Sequence, residues 1–226
     1  DRMADDIKET PWDRKAFGMP TYEIVNPTEE VLQKAAEMDG HFTVKIDPLA
    51  NSEPLHRHGF YYCGTLIEPY CRREYFRFYG NDNVSLVRKV DDFEEMKRIS
   101  DGSFDHGRYH RDFNLSQNAA DRRYANWLYQ MYEANNVFSL YYDGELAGFF
   151  GFDGQHILLY THKEEFRGKG MAKYFWSAAC RELFSYGYDE LISSISAANM
   201  PILNLKVSLG FKFRNPRDVY HKLNRV

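Results

Sequence analysis

Short runs of apolar, β-branched and aromatic residues alternate along the chain with longer amphipathic runs, and punctuating glycines and prolines separate them. TYEIV (21–25), HFTVKI (41–46) and GFYYCGTLIE (59–68) read as strands. PTEEVLQKAAEM (27–38) reads as a helix that opens with Pro27 and is capped by Asn26. The polar, glycine-bearing FYGNDN (78–83) reads as a linker, which predicts a division into residues 1–80 and 84–226. A strand at 84–90 and a helix at 92–100 follow. NAADRRYANWLYQMYEA (118–134) spaces its apolar residues three and four apart, as a long helix does. Asp143-Gly144 sets a hairpin turn within 137–152, and HILLYT (156–161) is a buried strand. The remainder reads as helix 169–186 stopping at Gly187, strand 190–196, helix 201–209 opened by Pro201, and two closing strands, GFKF and DVYHKL.

Composition narrows the class. The 226 residues are 43% hydrophobic and 16% aromatic, enough for one large domain or two small ones sharing a core. A net charge of −4 and no dense run of Lys and Arg argue against nucleic acid as a partner. Three cysteines, Cys63, Cys71 and Cys180, without a repeated spacing argue against a disulfide framework and a zinc site. With no membrane-length apolar run and no signal pattern, the expected compartment is a reducing cytoplasm, with no metal and no membrane partner.

HKEEFRGKGMAKYFW (162–176) carries the chemistry. A strand ends, glycines allow positive φ and close approach of a ligand, and a helix starts. Unpaired amides and the positive helix end favour an anion, and Arg167 and Lys169 add charge. A phosphate-binding loop for magnesium nucleotides needs Ser or Thr after Gly-Lys, and Gly170-Met171 stand there instead. A dinucleotide fingerprint needs a third glycine, and Lys173 occupies its place.

Arg167, Gly170 and Ala172 fit a third pattern, Arg/Gln-x-x-Gly-x-Gly/Ala. Here the chain resembles the GNAT superfamily of acyl-CoA-dependent N-acetyltransferases, and the order of elements from residue 84 resembles it throughout. Asn199 before helix 201–209, with Gly210-Phe211 after it, is similar too. PWDRKAFGM (11–19), GRYHRDF (107–113) and DRRYANWL (121–128) resemble the dTDP-fucosamine acetyltransferase group, whose members carry a partial N-terminal copy of the fold. Gly59-Phe60 echoes Gly210-Phe211 in agreement with that. The resemblance implies an α/β (α+β) fold with a mixed, mostly antiparallel central sheet flanked by helices, preceded by a smaller truncated copy. It also implies acetyl-CoA or another acyl-CoA as co-substrate, a nucleotide-linked amino sugar as acceptor, and possible homodimers. Residues 167–172 (Arg167, Gly168, Lys169, Gly170, Met171, Ala172) would cradle the pyrophosphate, with His162 and Asn199 along the pantetheine arm. Other amines as acceptors, and a catalytically silent acyl-CoA binder, are the alternative readings.

Such a reaction needs a proton acceptor for the amine, donors for the developing oxyanion, and a proton or cation for the thiolate. His156, Tyr160 and His162 have one parity on their strand and so are expected to share a face. The family's helix tyrosine, seven residues after the Asn, is here Lys206, a cation for the thiolate or a solvated surface lysine. FDHGRYHRDF (104–113) packs arginines, histidines and aromatics together. Arg108, Tyr109, His110 and Arg111 are its candidate acceptor contacts, against a packed structural loop.

Overall fold

The computed structural model describes residues 5–101, 103–104 and 107–225. Contacts group these into two units, each assembled from segments distant in sequence. One takes the described residues of 1–66, 105–126 and 215–226, the other those of 67–104 and 127–214.

The strands are β1 (Ile7–Glu9), β2 (Thr21–Ile24), β3 (Gly40–Ile46), β4 (Tyr61–Arg72), β5 (Val84–Val87), β6 (Val137–Tyr142), β7 (Glu145–Asp153), β8 (His156–His162), β9 (Glu190–Ser193), β10 (Ile195–Ser196) and β11 (Lys212–Asn224). The helices are α1 (Pro11–Phe17), α2 (Glu29–Ala36), α3 (Glu53–Arg57), α4 (Phe93–Ser100), α5 (Arg108–Arg111), α6 (Gln117–Glu133), α7 (Ala172–Ser185) and α8 (Met200–Ser208).

In the first unit, β1 runs antiparallel to β2, β2 parallel to β3, and β3 antiparallel to the distal part of β11. Its core gathers Ile24, Leu32, Phe42, Val44, Leu55 and Phe60. In the second unit, β5, β6, β7 and β8 form an antiparallel series, β8 is parallel to β9, and β9 is antiparallel to the end of β4. Phe138, Phe150, Phe175, Trp176, Leu183 and Leu191 fill one face of that sheet; Met96, Leu128, Phe149 and Leu159 fill the other.

The Gly-Phe echo has a structural counterpart. Phe60 N–H donates to Leu55 and Gly59 N–H to His56; likewise Phe211 N–H donates to Lys206 and Gly210 N–H to Val207. Both glycines sit in the left-handed region, at φ 82° and 96°. Each closes a helix in the same way and launches a long strand, β4 or β11. Apart from α1, which stands between β1 and β2, and β10, which stands between β9 and α8, the path β1-β2-α2-β3-α3-β4 parallels β7-β8-α7-β9-α8-β11.

Several sequence expectations shift. The helix expected from Pro27 begins at Glu29, and Thr28 rather than Asn26 caps it, its hydroxyl accepting from Val31 N–H at 3.3 Å. The helix expected from 169 begins at Ala172, because Gly168 and Gly170 take φ of 71° and 69°. Segment 78–83 is no free linker: Tyr79 N–H donates to Ser177 and its hydroxyl to the Ser208 carbonyl. The two closing strands are one, β11, which passes Pro216 with Asn215 at φ 53°, a value asparagine tolerates. All three cysteines are buried and unbridged, as small apolar residues. No helix among the described residues is long and apolar enough to cross a membrane.

Candidate functional site

In the second unit, β8 and β9 pair only at His156↔Ile192 and Ile157↔Ser193. β8 then continues to His162 while β9 stops at Ser193, so among the described residues the edge of β8 from Leu158 onward has no strand beside it on that side. Such an edge presents backbone donors and acceptors to a partner. On its other side β8 is held tightly to β7. A Cβ on Gly148 would meet the Thr161 carbonyl oxygen at 2.2 Å, so only glycine permits this approach opposite His162.

Beyond that edge lies the glycine loop. A Cβ on Gly168 or Gly170 would meet nothing within 4 Å; their requirement is positive φ, and the space over them is open. Arg167, Gly168, Lys169 and Gly170 are exposed, and Met171 and Ala172 are half-buried. Helix α7 starts with no side-chain cap and no acidic residue in its first turn. Its first amides and the positive end of its dipole therefore face open space flanked by two cations. The corresponding turn of the first unit differs in each respect. Thr28 caps α2, Glu29 and Glu30 occupy its first turn, and β2 and β3 stay paired through Ile24↔Val44. Carboxylates stand there where an anion would bind.

Tyr160 and His162 meet, with the hydroxyl 2.7 Å from Nδ1. Burial, then the Arg167 charge, hold His162 below the usual histidine range, so its ring is neutral at pH 7. Burial drives the Tyr160 phenol upward, which keeps it protonated. His156 does not join them, contrary to the parity argument. The β7–β8 register slips between Gly151 and Phe152, leaving Leu158 unpaired. One extra residue reverses the alternation. Ile157 and Tyr160 consequently pack on the α7 side, Leu158 and Leu159 on the α4 side, and His156 is exposed at the far end of the strand.

Asn199 occupies the cap position of α8, yet its side chain caps nothing. Lys206 is not a solvated lysine. It is 0% exposed, its Nζ has no hydrogen-bond partner among the described residues, and it lies 4.2 Å above the Trp176 ring and 5.0 Å from that of Phe211. Burial pushes its pKa down to about 7. An unpartnered buried amine costs several kcal/mol.

In the first unit, the arginine-rich segment is turned largely inward. Arg108 donates to Thr43 and His221 at 3.0 and 3.1 Å and to the Tyr109 hydroxyl at 2.5 Å. Tyr109 is buried and donates to Asp13, which also binds Arg123. His110 pairs with Asp121 and stacks on Tyr124. Arg111 alone of the four is exposed. The centre of the network is Asp112, flanked by two histidines that no motif singles out. His41 Nε2 and His221 Nδ1 lie 2.8 and 2.7 Å from its Oδ2, while the Tyr61 hydroxyl and Asn114 N–H donate to Oδ1. These partners stand 71 and 109 positions away in the chain, and no local pattern announces them.

Two histidines and a carboxylate could hold a metal ion. Their protons argue otherwise: Arg108 donates to His221 Nε2, so Nδ1 carries the proton aimed at Asp112, and a buried guanidinium beside the ring opposes a second cation.

No family model and no curated protein matches the sequence. Solved structures do. A GCN5-related N-acetyltransferase from Sphaerobacter thermophilus superposes with a TM-score of 0.61 at 12% identity, covering 97% of this chain and 76% of that one. A tandem GNAT protein from the clavulanic acid biosynthesis pathway gives 0.56 at 11%, covering 91% and 76%. A GCN5-related glucosamine N-acetyltransferase region of a fungal multi-domain β-N-acetylglucosaminidase gives 0.55 at 10%, covering 80% of this chain and 25% of that one. The chain therefore has the GNAT fold, and the tandem neighbour fits its two related halves.

Proposed function

We propose that the chain is an acyl-CoA-dependent N-acyltransferase whose acceptor is the amine of a nucleotide-linked amino sugar, with acetyl the simplest acyl group. The observation that carries the acyl-CoA reading is the contrast between the two related turns of the molecule. The α7 turn is open, uncapped and cationic beside a released strand edge; the α2 turn is capped, acidic and closed by pairing. A pyrophosphate suits the first and is repelled by the second. The free edge of β8 offers the pantetheine amides backbone partners, and Asn199, with no cap to serve, adds another. The two halves are read as a truncated copy in residues 1–80 and a full one in 84–226.

In this reading the neutral amine attacks the thioester carbonyl, the C–N bond forms and the C–S bond breaks. The proton lost by the amine passes to neutral His162, which Tyr160 orients. Lys206, as an ammonium, gives a proton to the departing thiolate in place of a tyrosine. His156 has no part in it. The amino-sugar acceptor rests on the resemblance of residues 11–19, 107–113 and 121–128. Glucosamine is also the acceptor named for one structural neighbour.

Thermal-shift titration with acetyl-CoA tests the reading. A ligand at a hundred times its dissociation constant adds about 2.7 kcal/mol of stability. A shift with acetyl-CoA that disappears in Gly170→Val is the expected result. No shift with acetyl-CoA in the intact protein overturns the proposal, and binding without turnover of any amino sugar removes its catalytic half.

A further inference from the structure

Cys71 of β4 and Leu191 of β9 are register partners, and both are buried in the core beneath α7. Strand neighbours alternate in direction, so Tyr70, Arg72 and Glu190 point to the other face of the sheet. There, with Tyr75, Gly210, Lys212 and Arg214, they line a cleft of about 330 Å³. All seven residues belong to the second unit. The cleft stands where β9 begins, level with the start of β8, since Ile192 pairs with His156. The glycine loop follows the other end of β8, seven extended residues or about 20 Å further along.

A close approach builds one wall. A Cβ on Gly210 would meet the Tyr75 carbonyl oxygen at 2.1 Å, so only glycine lets the turn at Arg73–Tyr75 lie against the start of β11. Arg73 N–H donates to the Asp189 carbonyl and Arg77 N–H to the Leu209 carbonyl, each at 2.9 Å, which pins the turn from both sides. The floor is internally satisfied: Arg214 lies 4.1 Å from the Tyr70 ring and donates to Glu68 and Glu190. Two other cations are left over. Among the described residues Lys212 pairs with no carboxylate, and its Nζ stands 5.3 Å from the Tyr75 ring, which is 55% exposed. Arg72 has Glu74 at 3.9 Å, with side chains 61% and 60% exposed, a contact worth little in water. Arg72 and Lys212 come from neighbouring strands and face one cleft. Like charges so placed destabilise a sheet, and an anion between them removes the repulsion.

We propose that this cleft binds a small phosphate ester, with the phosphate held by Arg72 and Lys212 and the organic group against the Tyr75 ring. The site is separate from the glycine loop and does not depend on the acyltransferase reading. An arginine fork matches phosphate oxygens two at a time, and an ammonium beside it adds a compact second charge. An exposed aromatic ring offers a stacking face to a planar group. The volume lies at the lower end of ligand sites, which sets the size of the ester.

Calorimetric titration of the full chain with adenosine 5′-monophosphate and inorganic phosphate tests the assignment, with coenzyme A titrated in parallel. Arg72→Ala and Lys212→Ala are each expected to weaken both probes by about tenfold or more. Tyr75→Ala is expected to weaken the nucleotide by about tenfold while leaving phosphate unchanged. Arg72, Tyr75 and Lys212 are exposed, so melting temperature and coenzyme A affinity should stay at their wild-type values. Gly170→Val should do the reverse, losing coenzyme A while keeping the nucleotide. If the unmodified protein binds neither probe, or if the cleft variants bind both as tightly as wild type, the inference is overturned while the acyl-CoA reading stands. Nucleotide binding abolished by Gly170→Val and untouched by the cleft variants would place the anion in the glycine loop and overturn it equally. Nucleotide binding lost in the cleft variants of a protein that ignores coenzyme A would support the cleft and overturn the acyltransferase reading instead.

Discussion

Lys206 holds its ammonium nitrogen 4.2 Å above the ring of Trp176, inside the second unit's core and with no hydrogen-bond acceptor. Its pKa of about 7 against an ordinary 10.5 has a defined consequence. Between those values the unfolded chain holds a proton that the folded chain has released. Stability therefore rises with pH across that window, by about 1.4 kcal/mol per unit, and the full penalty is present below it. Lys206→Met should raise the melting temperature at neutral pH and flatten this slope. If Lys206 supplies the leaving-group proton, the same variant loses kcat by about tenfold or more. Melts from pH 6 to 10 beside steady-state rates separate the two effects.

Gly170 is constrained by conformation and has no crowding to relieve. Its φ of 69° strains any side chain, and a β-branched one most, at about 1–3 kcal/mol locally. Gly170→Val should abolish acyl-CoA binding, with a global melting shift of only a few degrees. Retained acyl-CoA affinity would show that this loop does not hold the pyrophosphate.

The hydrogen-bond network centred on Asp112 predicts acid sensitivity. Burial lowers His221 to about 4, from an ordinary 6.5, because the charged ring is disfavoured inside; the bond to Asp112 only partly opposes this. The unfolded chain thus takes up a proton first, and stability falls as pH drops from 6.5 toward 4. Asp112, held well below the usual carboxylate range by His221 and His41 against its burial, adds a further loss below 3.8. Asp112→Ala strands four donors, two of them on the buried His41 and His221, and should cost about 3 kcal/mol or more. Arg108→Ala should likewise lower stability, and denaturant midpoints measure both.

Neutral His162 gives activity an acid limb. With its pKa depressed by burial and by Arg167, kcat at saturating acyl-CoA should fall as pH drops through a value below 6.5. Arg167→Gln removes the opposing charge and moves the limb upward, whereas His162→Gln removes the limb together with about a hundredfold of kcat. An unchanged profile in both variants would take the proton-acceptor role away from this residue.

What local pattern can encode was readable in the chain. The strands around 21, 41 and 156, the Asp143-Gly144 hairpin and the long helix to Glu133 follow from periodicity and turn chemistry, which act between neighbours. So does the glycine loop before α7, since glycine at positive φ and an uncapped basic turn are properties of a few consecutive residues. The tertiary structure decided everything that depends on which side a residue faces and what it meets there. A single unpaired residue, Leu158, sent His156 away from Tyr160, because alternation has no memory across a bulge. Lys206 went inside although a lone helical lysine belongs in water. Arg108 and Tyr109 turned inward while Arg111 stayed exposed, because the partners Thr43, Asp13 and His221 come from strands and helices far along the chain. Burial and hydrogen bonding between such distant segments set these outcomes, and a one-dimensional pattern carries no record of them.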